Sequence, residues 1–354
     1  MVAILEALTD DARVQTPKGP LGTVLKGIHK AIGLRRAIRG PKRPSWSHEF
    51  ETFATFLHHY ARRSVYLPLR MQRNMPGLIL DGELTRRVSF EDVDAGGVPS
   101  EWFRHDEAEP GRVLLYLHGG GYSICSIDSH RELMCRLAIA GKTAVLGIEY
   151  RLAPEHPFPA QLEDSTSAYR WLLDQGIEPK RIIIAGDSAG GGLTMSTLLQ
   201  LRDDGDPLPA AGVLLSPWVD LEASSGSYIA NEPYDYLSRR AIRRYAKRFV
   251  GTADLRNPLA APIHADLSGL PPLLIHAGGA EALLNDSLQL ARKARDAGVE
   301  VQLDVWPDMT HVWQLFASFV PEGVEAIDQI GRFVDARALP DLAALSNVAL
   351  LKDG

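Results

Sequence analysis

A chain of 354 residues, 45% hydrophobic and 23% charged, has enough apolar material for one large α/β core or two smaller ones. No apolar run reaches the roughly 18 residues that span a bilayer, and a formal net charge of -6 disfavours nucleic acid as a partner. Cys125 and Cys135 lack metal-ligand spacing and read as small packing residues, no cofactor or metal is expected, and an N-terminus without a basic stretch before an apolar core points to the cytoplasm.

In chain order, the basic stretch from Lys26 to Arg43 is weakly amphipathic and reads as a solvated helix of a cap, with a membrane-surface helix as the alternative. "LTRRVSFED" and "EWFRH" suggest an antiparallel pair near a sheet edge. Then come the strand "RVLLYLH", a helix over Ser129 to Ala140, the strand "TAVLGIEY", a helix across "LEDSTSAYRWLLD", and "RIIIAG" with its own helix. After the strand "AGVLLSPWVDL", the segment from Glu222 to Val250 is polar and arginine-rich and reads as a helical insertion on the rim. "PPLLIHAGG", "SLQLARKARDAG", "VEVQLDVWP" and "EGVEAIDQIGRFVDAR" complete the alternation as strand, helix, strand and helix. This pattern specifies a mostly parallel sheet flanked by helices, whose ligands bind at the carboxyl ends of the strands.

The chemically pointed residues fall at those ends. "IIIAGDSAGGGLTM" places Ser188 between a buried strand and a helix, with Gly186 and Gly190 on either side, which is G-x-S-x-G in the strand-turn-helix setting that presents a nucleophile. A serine hydroxyl needs a base to take its proton, and the base needs an acid to hold its tautomer. His311 follows the last strand and suits the base. Glu281 and Asp286 compete for the acid; position favours Glu281, while Asp286 falls where the next helix begins and is placed to cap or support it. "HGGG", His118 to Gly121, lacks the marks of a P-loop or a dinucleotide fold and offers backbone N–H groups for an oxyanion, with Ala189 a further donor; His118 reads as structural.

"HGGGY", "YRLAPEHPFPA", "GDSAGG", "SPWVDL" and the His311 loop together resemble the hormone-sensitive-lipase family of α/β-hydrolases, from about residue 80 onward. The resemblance implies Ser188 as nucleophile, His311 as base, and the amides of Gly119, Gly120 and Ala189 as oxyanion donors. It also implies a helical cap from residues 1–80 and 221–250 around hydrolase-core segments 81–220 and 251–354. Cys125 stands where that family usually has Gly, Glu149 where an Asp often precedes "YRLAPE", and Glu281 where the acid is usually Asp. Glu149 lies in an expected structural ion-pair region around Arg151 and Glu155.

Tyr122, Trp218 and Trp313 read equally as pocket or core, and His58 and His59 as surface or packing residues. The expected activity is a serine carboxylesterase acting on short-to-medium acyl esters, with a small-molecule ester as partner and a homodimer left open. An amide or acetyl-ester hydrolase with the same triad is the alternative. A non-catalytic small-molecule receptor is a third reading, which His311 opposes.

Overall fold

The computed structural model describes residues 20–73, 82–318 and 320–338. The boundary expected at residue 80, and the parts of the outer segments on 1–19, 74–81 and 339–354, lie outside these residues. Helices α1 (Pro20–Arg39), α2 (His48–Ser64), α3 (Leu69–Arg73) and α4 (Gly82–Arg87) precede the strands β1 (Val88–Asp94) and β2 (Pro99–His105). Alternation follows: β3 (Val113–Leu117), α5 (Ile127–Ala140), β4 (Ala144–Ile148), α6 (Ala160–Asp174), β5 (Ile182–Asp187), α7 (Ala189–Asp204) and β6 (Ala211–Leu215). The short α8 (Ser227–Ala230) and α9 (Arg239–Val250) interrupt it before β7 (Leu273–Gly278), α10 (Leu284–Asp296), β8 (Val301–Trp306) and α11 (Pro321–Arg337).

The eight strands form one sheet in the order β1-β2-β4-β3-β5-β6-β7-β8. β1 pairs with β2, and β2 with β4, in antiparallel register, while the remaining pairs are parallel. Each parallel step needs a crossover, and the helices supply it on both faces. The alternation is visible residue by residue: Val113, Leu115, Ile182 and Ile184 face one core with α6, α7 and α10, while Leu114, Tyr116, Ile183 and Ala185 face the other with α5 and α11. Continuous apolar strands are therefore buried on both sides. This is an α/β-hydrolase fold, as expected.

Local chemistry moved some boundaries. The edge pair is present, but Leu84 to Arg87 is helical and β1 begins only at Val88. α5 starts two residues before Ser129 because the Ser126 side chain caps it, accepting the Ser129 N–H. The ion-pair region also divides differently: Arg151 binds Glu163 and Asp164, Glu155 binds Arg73, and Glu149 accepts the Ile127 N–H at 2.7 Å. On α1, Arg35 and Arg36 both pair with the buried Glu51 of α2, and Ile32 is buried. That favours the helix-packing reading of this basic stretch. Among the described residues no helix is long and apolar enough to cross a membrane.

The turn after β5 tolerates no side chain behind it. A Cβ on Gly190 would lie 1.9 Å from the Leu117 carbonyl oxygen and 2.7 Å from that of His118, both backbone atoms that cannot swing away. Gly190→Ala should therefore destabilise the fold by more than about 3 kcal/mol in urea melts. Gly205→Ala, at φ +78° with open space around it, should cost only about 1 to 2 kcal/mol. Equal losses would place the constraint elsewhere.

Candidate active site

Ser188 occupies the point where β5 becomes α7. Its backbone sits at φ 54°, ψ -118°, a region that residues with a Cβ seldom adopt. Three hydrogen bonds over-determine it: the Ser188 N–H donates to Leu215 at 2.8 Å, and its carbonyl accepts from Gly192 at 3.1 Å and Trp218 at 2.9 Å. Gly186 leaves room for the reversal, since a Cβ there would lie 2.4 Å from the Gly190 oxygen. Other non-glycine residues at positive φ gather nearby: Tyr122, Cys125, Ser216 and Val312.

Behind the turn lies a buried polar network. Asp187 Oδ1 accepts the Tyr116 hydroxyl at 2.8 Å and the Gly119 N–H at 2.9 Å, and His130 Nε2 lies 3.2 Å from the same oxygen. Burial opposes ionisation of both partners, yet mutual attraction wins: Asp187 is held below the usual carboxylate range and His130 above the usual histidine value. Burial, with the His130 charge beside it, pushes His118 down to about 3, so His118 is neutral. Its Nδ1 lies 2.7 Å from the Gly119 carbonyl and its ring stacks on Tyr150, the structural role expected of it.

This network corrects one expectation. The Gly119 N–H is committed to Asp187 and does not face an oxyanion; a Cβ at Gly119 would also strike Asp187 Oδ2 at 2.1 Å. Gly119 is required to seat the loop on Asp187. Gly120 (φ +111°) and Gly121 (φ +59°) continue the loop along the cavity wall, with a Cβ on Gly120 meeting the Ile124 oxygen at 2.1 Å.

The two carboxylates meet different partners. Glu281 Oε2 lies 3.7 Å from His311 Nδ1 and accepts the Ser216 hydroxyl at 2.5 Å. Asp286 faces away, accepting the Val219 N–H at 3.1 Å, the Asp220 N–H at 2.9 Å and the Tyr228 hydroxyl at 2.8 Å. It lies in the first turn of α10 and ties that helix to the loop after β6. Burial pushes the Glu281 carboxyl up to about 8, against the pull of Ser216 and the Gly278 backbone. Burial likewise pushes His311 down, opposed by the charges of Asp235 and Asp187. Among the described residues, none hydrogen-bonds the buried His311 Nδ1 or Glu281 Oε1, and a shift of about 1 Å would bring ring and carboxylate into hydrogen-bond range.

Ser188, His311, Gly120 and Gly121 line one cavity of about 190 Å³. Its walls include Tyr60 of α2, Trp218 after β6 and Tyr245 of α9. Cys125 also lines it, with its thiol pushed up to about 12 by burial. Tyr122 is buried against Phe249, and Trp313 is buried in a third core with Trp46 and Phe53. Of Tyr122, Trp218 and Trp313, only Trp218 lines the cavity. Both cysteines are free. Among the described residues no His, Cys, Asp and Glu group is arranged to hold a metal.

Residues 114–315 match the family model of the alpha/beta hydrolase fold. An acetyl-hydrolase of Streptomyces hygroscopicus is 46% identical over 243 residues, covering 68% of this chain and 81% of that protein. An esterase of Acinetobacter venetianus is 34% identical over 249 residues, covering 70% and 82%. The crystal structure of an esterase from the bacterial hormone-sensitive lipase family is 41% identical, with a TM-score of 0.72 over 91% of this chain and 99% of that one. This chain belongs to the hormone-sensitive-lipase family of α/β-hydrolases. It is a carboxylic ester hydrolase.

Three residues around the esterase's site were not singled out from sequence. Ser216 and His130 carried no signal beyond their neighbourhood, and Asp235 sits in the polar stretch that reads as an insertion on the rim. His58, expected to lack convergent partners, has its Nδ1 2.6 Å from the Asp235 carbonyl. The two carboxylates should separate in kinetics. Glu281→Gln should lower turnover by about 10² or more with KM little changed, since the analogous Asp→Asn change in a well-studied triad costs about 10⁴. Asp286→Asn should leave turnover within about tenfold and lower the melting temperature.

Proposed function

We propose that this esterase cleaves short-to-medium acyl esters through an acyl-enzyme on Ser188, with His311 as base and Glu281 as acid. The observation that carries the reading is the approach of Glu281 Oε2 to 3.7 Å from Nδ1 of His311, whose ring lines the same cavity as Ser188. In the first step Ser188 Oγ attacks the ester carbonyl carbon while His311 Nε2 takes the hydroxyl proton. The carbonyl π electrons move onto oxygen, where the amides of Gly120 and Ala189 receive the charge at the start of α7. Collapse breaks the bond to the alcohol oxygen, which takes the proton from His311. Water then repeats the sequence on the acyl-enzyme and releases the acid. Glu281 holds the imidazole tautomer and stabilises its charged form.

The substrate range follows from the walls. A mostly apolar cavity of about 190 Å³ is smaller than the roughly 300 to 1,000 Å³ that drug-sized ligands occupy. We assign the described part of residues 1–80, together with 221–250, to a cap on this basis, because α2 and α9 contribute Tyr60 and Tyr245 to the enclosure. The small volume and the acetyl-hydrolase relative favour a second reading in which acetyl is the preferred acyl group.

Initial rates on chromogenic esters of increasing acyl length test both readings. Rates should peak at four carbons or fewer and fall for longer chains; preference for an emulsified long-chain triglyceride would overturn the size argument. Ser188→Ala should abolish hydrolysis and stoichiometric organophosphate labelling while retaining the circular dichroism spectrum. Turnover within about tenfold of wild type would refute the acyl-enzyme.

The base form requires His311 and Glu281 both to be without the proton they compete for, so the rate rises with pH and its midpoint belongs to the pair. In Glu281→Gln the residual rate reports His311 without its neighbouring carboxylate, and burial lowers its proton affinity. The acid limb of that variant should lie below the ordinary histidine value of about 6.5 and below the wild-type limb. A limb displaced upward would contradict the pairing.

A further inference from the structure

Asp235 lies in "NEPYDYLS" between α8 and α9, yet it is 0% exposed. Its Oδ2 accepts the N–H of Ala282, the residue after Glu281, at 2.7 Å. Its Oδ1 accepts the N–H of His311 at 3.3 Å and that of Tyr236 at 2.7 Å. The Asp235 carbonyl meets His58 Nδ1 of α2 at 2.6 Å, so the histidine donates there. One residue of the rim segment thus joins the acid loop, the base loop and an N-terminal helix. The chemistry calls for a carboxylate: an amide has a single acceptor oxygen, so one of the two loops would face its NH2 group, donor against donor. Burying a charge is unfavourable unless such donors satisfy it, so full burial in a polar stretch needs a reason beyond packing.

We propose that Asp235 is a positioning residue for the His311–Glu281 pair, fixing the separation of the acid and base loops and placing a negative charge behind the imidazole. The proposal rests on Ser188, His311 and Glu281 acting as the triad. The titratable groups facing Asp235 are His311 on the base loop, Glu281 on the acid loop and His58 on α2; Asp187, at the end of β5, acts on the same imidazole. Burial pushes the Asp235 carboxyl up to about 6, against the pull of the His311 charge and the Ala282 N–H. Above that pH it is ionised, and its charge raises the proton affinity of His311. The backbone bonds act on geometry and the charge on the pH profile, so the two effects can be read separately.

The test compares Asp235→Asn with wild type, each normalised to the sites that an organophosphate titrates at Ser188. The expected result is a kcat about 10²-fold lower with KM within about threefold, the size of effect that a misplacement of about 1 Å produces. The acid limb of kcat/KM should also move to lower pH by about one unit, because the charge that holds the proton on His311 is gone. A variant that only melts earlier, with kcat per titrated site and the acid limb both unchanged, overturns the proposal. If Asp235→Asn does not fold, Asp235→Glu decides the matter. It keeps the charge and displaces the oxygens, so kcat should fall while the limb stays where wild type has it, and wild-type kcat would overturn the proposal. Failure of the underlying reading looks different. Ser188→Ala would then still hydrolyse esters, or wild type would not be labelled at Ser188, whatever Asp235→Asn does.

Discussion

The reversal of the chain at Ser188 is the constraint on which the rest of the molecule is arranged. The turn places β5 and α7 so close to β3 that Gly190 lies against the Leu117 carbonyl with no space for a methyl group. Because β3 and β5 are parallel neighbours, the loop leaving β3 and the helix leaving β5 must open on the same side. Gly120, Gly121 and Ser188 then border one cavity. The strained backbone at Ser188 is held by three hydrogen bonds, and the loops after β6 and β8 also carry non-glycine residues at positive φ, Ser216 and Val312. Strain gathered at strand ends around one cavity is what a preorganised site requires, since groups already in position need not rearrange as charge develops.

The second organising feature is the number of carboxylates kept out of water near that cavity. Asp187, Asp235, Glu281 and Asp286 are all buried, and each is satisfied differently. Asp187 has a histidine, a tyrosine and a backbone amide and remains ionised. Asp286 has two amides and a tyrosine, yet burial pushes its carboxyl up to about 8. Glu281 has Ser216 and the nearby His311 ring. Side chains of the same chemistry thus have three roles, set by which donors the fold brings to them. An unpartnered buried carboxylate would take up a proton, and the donors oppose that tendency to different degrees.

Much of this architecture was legible because it is written in local patterns. Alternating apolar strands and helices, the Gly-Asp-Ser-Ala-Gly turn and the position of His311 after the last strand depend on neighbours within a dozen residues. The misses were of another kind. Gly119 looked equivalent to Gly120, and only the approach of Asp187, 68 residues away in sequence, commits its N–H elsewhere. An ion-pair region was expected around Arg151 and Glu155, but the partner of Glu155, Arg73 on α3, lies 82 residues away. His58 looked isolated because its partner lies 177 residues along the chain.

The amino-acid sequence by itself determined the strand order's raw material, the nucleophile's turn and the edge of the sheet where chemistry gathers, since periodicity and the absence of side chains at Gly186 and Gly190 act over short range. It also limited the acid to two candidates five residues apart. Tertiary structure alone gave them different surroundings, because these depend on orientation: the first turn of α10 directs Asp286 toward Val219 and Asp220, while Glu281, in the preceding loop, comes within 3.7 Å of His311 Nδ1. Asp235 makes the same point more strongly. Its polar stretch reads as an insertion on the rim, and only folding that segment against two catalytic loops puts backbone N–H groups on both its oxygens. A hydrogen bond is specified by positions in space to within a few tenths of an ångström. Sequence patterns of short period carry no such long-range coordinates.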